Sequence, residues 1–332
     1  MTGEGGNGHV LLEARDLVTY FYVPDGIIKA VDGVSLSIRR GEILTVVGES
    51  GSGKSVTALA AMRLIPEPPG RTLRGEVLFE GEDLLKKSPR EMQAIRGARI
   101  SMIFQNPYTA MNPLIRIGDQ LEETVRRHRQ VRGSGARDLI VTMLERLGVE
   151  QPLSILGSFP FEVSMGVNQR IMLASGLLGQ PDLLIADEPT TMLDAIAQVE
   201  ILSLIRELKD ELQMSVWLIT HDFGVVSLMS DRIVVMYAGQ PVESGTAEQV
   251  LKAPRHPYTQ GLINSVPVPG TRAERLLQIP GDIPDPKRLP EGCRFAPRCP
   301  RATDICRSKA PPVFPLADGG QSRCWLHAEG GP

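Results

Sequence analysis

Three groups of residues in this 332-residue chain have types and spacings that can do chemistry. The first is Gly48-Glu49-Ser50-Gly51-Ser52-Gly53-Lys54-Ser55, which fits G-x-x-x-x-G-K-[ST]. Glycines so spaced let successive backbone N–H groups curl around phosphate oxygens, the lysine reaches the β- and γ-phosphates, and the final hydroxyl binds Mg2+. The bland alternative is a flexible Gly/Ser turn. The second group is Asp187-Glu188, at the end of the apolar run Leu183-Leu184-Ile185-Ala186. Two carboxylates at the C-terminal end of a strand lie where α/β sheets bind ligands. Asp187 would hold Mg2+ through water, and Glu188 would polarise the water that attacks a γ-phosphate. A polar strand end is the ordinary meaning of such a pair, and its place downstream of a phosphate-binding loop favours the functional one. The third group is Cys293, Cys299, Cys306 and Cys324, all the cysteines of the chain. Their spacings of x5, x6 and x17 lack the C-x2–4-C pairs usual for zinc and are acceptable to a [4Fe–4S] cluster. Spacing alone leaves free thiols and a metal site both open.

The elements that must position these groups follow from periodicity. Residues 10–47 read as several short strands, with Val34, Leu36 and Ile38 alternating, and the last of them, 43–47, runs into the glycine loop. A helix over 56–62 follows at once, so the loop has the strand before and the helix after that its chemistry requires, and the helix N-terminus adds a positive dipole end. Further strands are expected at 100–104, 183–186, 216–220 and 233–236, separated by helical patterns such as 199–212, which implies a parallel α/β sheet. Residues 108–180 hold helical patterns at 118–127, 136–147 and 168–178 with no clear strand, and read as a helical insertion. Beyond Pro254, Pro and Gly become dense and apolar periodicity weakens. Such a segment buries little apolar surface by itself, and a metal centre holding four thiolates would supply the missing cross-links.

Bulk properties set limits. The length suits one large domain with an appendage. A formal charge of −3 offers no general attraction to nucleic acid or anionic lipid. No window holds the ~18 apolar residues that cross a bilayer, and Met1 to Val10 lacks the features of a signal peptide, so a cytoplasmic protein is expected. The Gly-rich residues 1–8 read as disordered.

With these motifs in place, residues from Leu11 to about Thr246 resemble the ABC ATPases. Gln105, after Ile100-Ser101-Met102-Ile103-Phe104, resembles the Q-loop glutamine that touches Mg2+ and senses the permease. Thr191-Met192-Leu193-Asp194 resembles the D-loop that crosses the dimer interface, with Asp194 its acidic residue, and His221 in Leu218-Ile219-Thr220-His221-Asp222 resembles the switch histidine at the γ-phosphate. Phe21 takes the place of the adenine-stacking aromatic, with Tyr20 and Tyr22 as adjacent competitors. The signature loop departs from the family's L-S-G-G: here Val163-Ser164-Met165-Gly166-Val167-Asn168-Gln169-Arg170 puts Met165 where the first glycine belongs. Backbone must approach phosphate there, and a long side chain crowds it. The expectation is an asymmetric heterodimer in which Glu188 meets a partner's intact signature while Ser164, Met165, Gly166 and Gln169 serve a weakened site.

His256-Pro257-Tyr258-Thr259 and the cysteine tail resemble the C-terminal extension of the oligopeptide/dipeptide/nickel importer ATPases. Asn106-Pro107-Tyr108, Met111-Asn112-Pro113-Leu114 and Ala238-Gly239-Gln240-Pro241-Val242-Glu243-Ser244-Gly245 strengthen that likeness. The resemblance implies an α/β fold with a P-loop ABC core (a parallel sheet with antiparallel N-terminal strands and a helical insertion) plus a Cys-rich extension. The implied domains are 9–253, with a helical subdomain at about 108–180, and 254–332. It further implies ATP, Mg2+ and a [4Fe–4S] cluster on the four cysteines, with Zn2+ as the alternative. The implied partners are two integral-membrane permease subunits, a second ATPase and, indirectly, an extracytoplasmic binding protein, with the chain peripheral on the cytoplasmic face of the inner membrane. Peptide is the expected cargo, with nickel or an opine as alternatives. Two other classes stay open: an ABC ATPase acting on DNA or ribosomes, and a subunit that binds ATP without hydrolysing it. A single nucleotide domain without a basic stripe speaks against the first, and filled Glu188 and His221 positions against the second.

Overall fold

The computed structural model describes residues 9–265 and 278–328. The Gly-rich start expected to be disordered lies outside the described residues. Among those described, the strands run in chain order β1 (Val10–Val23), β2 (Gly26–Arg39), β3 (Ile43–Val47), β4 (Gly70–Phe79), β5 (Glu82–Asp83), β6 (Ile100–Ile103), β7 (Leu183–Asp187), β8 (Ser215–Thr220), β9 (Arg232–Tyr237), β10 (Gln240–Thr246), β11 (Phe314–Pro315) and β12 (Gln321–Ser322). The chain divides into two compact units: Met1–Arg39, Ile43–Lys86 and Ile219–Pro332 in one, Arg40–Glu42 and Lys87–Leu218 in the other.

Unit one holds an antiparallel sheet ordered β2-β1-β4-β5. Sequence periodicity predicts several short strands over 10–47, whereas β1 and β2 are each 14 residues long. The difference has a local cause. The register slips between Ala14 and Leu17, where Asp16 takes φ 45° and its N–H donates to Ser35 Oγ at 2.9 Å. A bulge inserts a residue and shifts the inside–outside alternation, so one long strand reads as pieces. Strand β4 begins with Gly-Arg-Thr-Leu-Arg-Gly-Glu, too polar and glycine-rich to be legible as a strand, and only its last three residues, Val77, Leu78 and Phe79, are a continuous apolar run. Unit one also holds the strand order β11-β12-β10-β9-β3. The expected parallel pairing is present between β3 and β9, with Val46 opposite Val234, and β10 runs antiparallel to β9. Ile43, Leu44, Val46, Val47, Ile233, Val235 and Met236 are buried.

The segment after Pro254 does contribute to a core. The helix Pro257–Asn264 begins at His256, whose Nδ1 accepts the Tyr258 N–H at 3.0 Å. Tyr258 and Phe295 are buried with Tyr237 of β9, their ring centres 4.6 to 5.3 Å apart in tilted and edge-on contact. Three aromatics need no periodicity to make a core, which is why the pattern missed it.

Unit two holds β6, β7 and the 215–218 part of β8, with β6 and β7 parallel and Ser101 opposite Leu184. The expected helices are present as Ile117–His128, Ser134–Arg146 and Met165–Leu177, and they bury Ile117, Leu121, Val125, Ile140, Leu144, Ile171 and Leu177. Met165–Leu177 starts three residues early because Ser164 caps it, its hydroxyl accepting the Val167 N–H at 3.3 Å. For the same reason Ala195–Leu212 starts at Asp194 rather than at residue 199.

Candidate functional site

Unit one carries the glycine loop between β3 and the helix Lys54–Ala61. Glycine is demanded there by close approach. A Cβ on Gly48 would stand 2.2 Å from the Met236 carbonyl oxygen, and one on Gly53, at φ 98°, 2.3 Å from the Ala30 carbonyl oxygen. The loop is held from inside by Lys54, 4% exposed, whose Nζ donates to the carbonyl oxygens of Gly48 and Glu49 at 2.8 and 3.0 Å. Ser52 is fully buried and its Oγ has no partner. An orphaned buried hydroxyl, a cationic side chain and a helix N-terminus in one loop fit phosphate oxygens. His221 follows β8 on an exposed turn, and Asp222 beside it accepts the Gly224 N–H at 2.7 Å.

The aromatics ahead of β2 are placed differently from one another. Phe21 sits on β1 opposite Ile28 and Gly70, with Cε1 2.9 Å from where a Gly70 Cβ would be. Tyr20 donates its hydroxyl to Asp32 Oδ1 at 2.7 Å, and burial together with that bond pushes its pKa up to about 12. Tyr22 is 47% exposed.

Unit two brings Gln105, Glu188 and Thr191 together. Gln105 Nε2 and Thr191 Oγ1 both donate to Glu188 Oε2, at 2.8 and 2.9 Å. Glu188 itself has φ 47°, a left-handed conformation uncommon for a residue with a Cβ and frequent at functional sites. Asp187, the last residue of β7, is 5% exposed. Downstream, Asp194 Oδ1 accepts the N–H groups of Ile196 and Ala197, both at 3.0 Å, so this residue is a helix cap in its own unit. At the other motif, Ser164 is the cap, Met165 the first helical residue, and a Cβ on Gly166 would touch nothing within 4 Å. Buried Gln169 ties this helix to the Pro189 carbonyl, one residue past Glu188.

The expected [4Fe–4S] cluster, and zinc as its alternative, are overturned. Among the described residues no group of three or more His, Cys, Asp and Glu is arranged to hold a metal ion, and Cys293, Cys299, Cys306 and Cys324 are free thiols. Cys293 and Cys299 pack against the aromatic core of Tyr237, Tyr258 and Phe295, and Cys306 Sγ lies 3.4 Å from Thr303 Oγ1. Burial holds the thiols of Cys293 and Cys299 above their ordinary range and pushes Cys324 up to about 11. The cross-links the segment needs are supplied by ion pairs of Arg298 with Glu49, Arg294 with Asp32 and Lys287 with Asp25.

Comparison with known proteins decides the family. A family model of the oligopeptide/dipeptide transporter C-terminal region matches residues 242–306, and one of the ABC transporter matches residues 31–191. Oligopeptide transport ATP-binding protein OppD of Bacillus subtilis is 45% identical over 95% of this chain and 88% of its own length. A probable peptide ABC transporter ATP-binding protein of Sinorhizobium fredii is 44% identical over 96% of each. This chain belongs to the oligopeptide/dipeptide ABC transporter ATP-binding proteins. Among solved structures, the ABC fold of the dimeric ATP-binding cassette MJ0796 in a post-hydrolysis state, bound to ADP and Pi, matches with a TM-score of 0.64 at 25% identity, covering 71% of this chain and 98% of that one.

For an ABC transporter ATP-binding protein, three features were missing from the sequence reading: the roles of Tyr258, Arg298 and Glu49 as one hydrogen-bonded group. Glu49 donates its N–H to Tyr258 Oη at 3.0 Å and accepts Arg298 on both carboxylate oxygens at 2.8 and 3.0 Å. The His-Pro-Tyr-Thr stretch was the available signal, and it said nothing of where its tyrosine points.

Proposed function

We propose that this chain is the ATP-binding and ATP-hydrolysing subunit that powers peptide import through a membrane-embedded permease. The observation that carries the ATPase reading is the glycine loop, where two glycines admit no Cβ and Lys54 lies across the loop carbonyls at the start of a helix. The peptide reading is supported by the family and by relatives named for oligopeptide or peptide transport.

In this reading the backbone N–H groups of Gly48, Ser50, Gly51, Ser52, Gly53 and Lys54 and the Lys54 ammonium cradle the phosphates of ATP, with the Glu49 N–H held by Tyr258 Oη, and Phe21 stacks on the base. Ser55, Gln105 and Asp187 offer hydroxyl, amide and carboxylate oxygens of the kind Mg2+ takes, and the bound ion neutralises phosphate charge. Glu188 orients the attacking water by accepting its proton, with Gln105 and Thr191 fixing the carboxylate rotamer through Oε2. His221 holds the γ-phosphate.

The chain acts beside a second ATPase. Met165 at a helix start weakens the signature site built from Ser164, Gly166 and Gln169, so hydrolysis runs at the site formed by this Glu188 and the partner's signature, with Asp194 at the interface. Residues 9–253 form the nucleotide-binding domain, with 108–180 its helical subdomain, and 254–332 the extension. No helix among the described residues is long and apolar enough to cross a membrane, and the chain sits peripherally on the cytoplasmic face, receiving cargo indirectly from an extracytoplasmic binding protein.

The test is Glu188→Gln in the assembled transporter. ATP binding is expected to persist while ATP turnover and uptake of labelled peptide fall at least a hundredfold. Turnover near that of the unaltered transporter would remove Glu188 from its role.

A further inference from the structure

Glu49 is an unusual neighbour for phosphate. It is one residue past Gly48, its carbonyl oxygen accepts from Lys54 Nζ at 3.0 Å, and its own carboxylate carries the wrong charge for the loop it belongs to. The chain answers this from more than two hundred residues away. Arg298 Nη1 and Nη2 grip the two carboxylate oxygens at 2.8 and 3.0 Å, and the Tyr258 hydroxyl accepts the Glu49 N–H at 3.0 Å.

Arg298 is itself held rigidly. It is 6% exposed, its Nε donates to the Pro280 carbonyl at 3.0 Å, and its guanidinium carbon lies 5.8 Å from the centre of the Tyr237 ring. That ring leans edge-on against Tyr258, so both residues that bind Glu49 rest on one aromatic core. Four residues earlier in the same segment Arg294 donates to the Ala238 carbonyl and to Asp32, the acceptor of the Tyr20 hydroxyl.

Stability alone is a poor reason for this arrangement. A buried ion pair loses solvation on both partners, and an apolar pair of similar volume commonly does as well or better. A bidentate arginine does something an apolar pair cannot: it cancels a charge and fixes the plane of a carboxylate. Resting on the reading that the glycine loop binds nucleotide, we propose that Arg298 and Tyr258 are positioning residues for ATP, by which the C-terminal segment neutralises Glu49 and sets the loop for phosphate. Without the guanidinium, a full negative charge beside the phosphates raises the energy of bound ATP.

The test is a fluorescence titration of the full chain with a mant-labelled ATP and Mg2+. Arg298→Gln is expected to weaken binding about tenfold, and the double variant Glu49→Gln/Arg298→Gln to recover most of that loss, to within threefold of the intact chain, because the stranded charge has gone. Lys54→Ala should abolish binding. An Arg298→Gln chain that is folded by circular dichroism and binds like the intact chain overturns the proposal, as does a double variant no better than the single one, which is the mark of a purely structural role. Should Arg298→Gln alone fail to fold, the double variant carries the test: affinity within threefold supports the proposal and a tenfold loss overturns it. Intact binding by Lys54→Ala would instead sink the phosphate-site reading, independently of Arg298.

Discussion

Replacing Phe295 by alanine tests whether the segment beyond Pro254 is part of the unit-one core. Phe295 is 2% exposed, and its ring stands 5.2 Å from Tyr237, 5.3 Å from Tyr258 and 5.8 Å from His256, centre to centre. The substitution removes a whole ring from between fixed neighbours. Tyr258 is tied by its hydroxyl to the Glu49 N–H, Tyr237 ends β9 and is paired with Gln240 of β10, and His256 caps a helix, so little of the space can collapse. Truncations of this kind cost about 3–5 kcal/mol, the upper part of the range where the surroundings cannot relax. For a unit of this size that is a fall in melting midpoint of roughly 10 °C. Urea unfolding of the full chain followed by circular dichroism reads it directly, with Arg307→Ala, on a side chain 70% exposed, expected to change stability by less than ~0.5 kcal/mol. A loss below about 1 kcal/mol at unchanged denaturant slope would mean that Phe295 is not packed as described, and the positioning of Arg298 three residues on would lose its support.

Two further outcomes follow from other sites. His256 is 1% exposed and burial depresses its pKa to about 3, so the unfolded chain, titrating near 6.5, binds the proton first as pH falls. Stability is therefore full above about pH 6.5 and is lost toward pH 3 by up to ~1.4 kcal/mol per pH unit; urea midpoints should fall less steeply with acid in His256→Asn, whose side chain can still cap the helix, and equal slopes would refute the assignment. Met165→Gly should raise ATP turnover of the assembled transporter severalfold if the long side chain crowds the signature loop, and an unchanged rate would count against an asymmetric pair.

The parts of the site legible from sequence are those whose physics is local. Gly48 and Gly53 belong to a contiguous motif, although the carbonyl oxygens that exclude a Cβ there come from Met236 and Ala30 on other strands, Lys54 starts the helix it must start, and Asp187 follows a run of four buried apolar residues. The long strands β1 and β2 were legible only in fragments, because one αL residue, Asp16, breaks the alternation that identifies a strand. β4 was not legible at all, since Gly70, Arg71, Arg74 and Gly75 within it lack the apolar alternation that marks a half-buried strand.

The four cysteines stand out in the sequence, yet among the described residues they form no group arranged to hold a metal ion. A composition so rich in proline and glycine suggests a need for cross-links, and cysteine is the residue whose chemistry is visible without knowing its partners. The links that formed are arginine and lysine on carboxylates, and an arginine has no meaning in a sequence until its carboxylate is known. Arg298 finds Glu49 at a separation of 249 residues, and Arg294 finds Asp32 at 262. Nothing periodic connects such pairs, whereas four cysteines in one segment announce themselves. That difference in visibility also explains why the loop's acidic residue looked like an unconstrained x of a motif. Glu49 is tolerable beside phosphate only because a distant guanidinium is delivered to it, and a chain ending before Arg298 would keep the motif intact while leaving that charge exposed to the nucleotide.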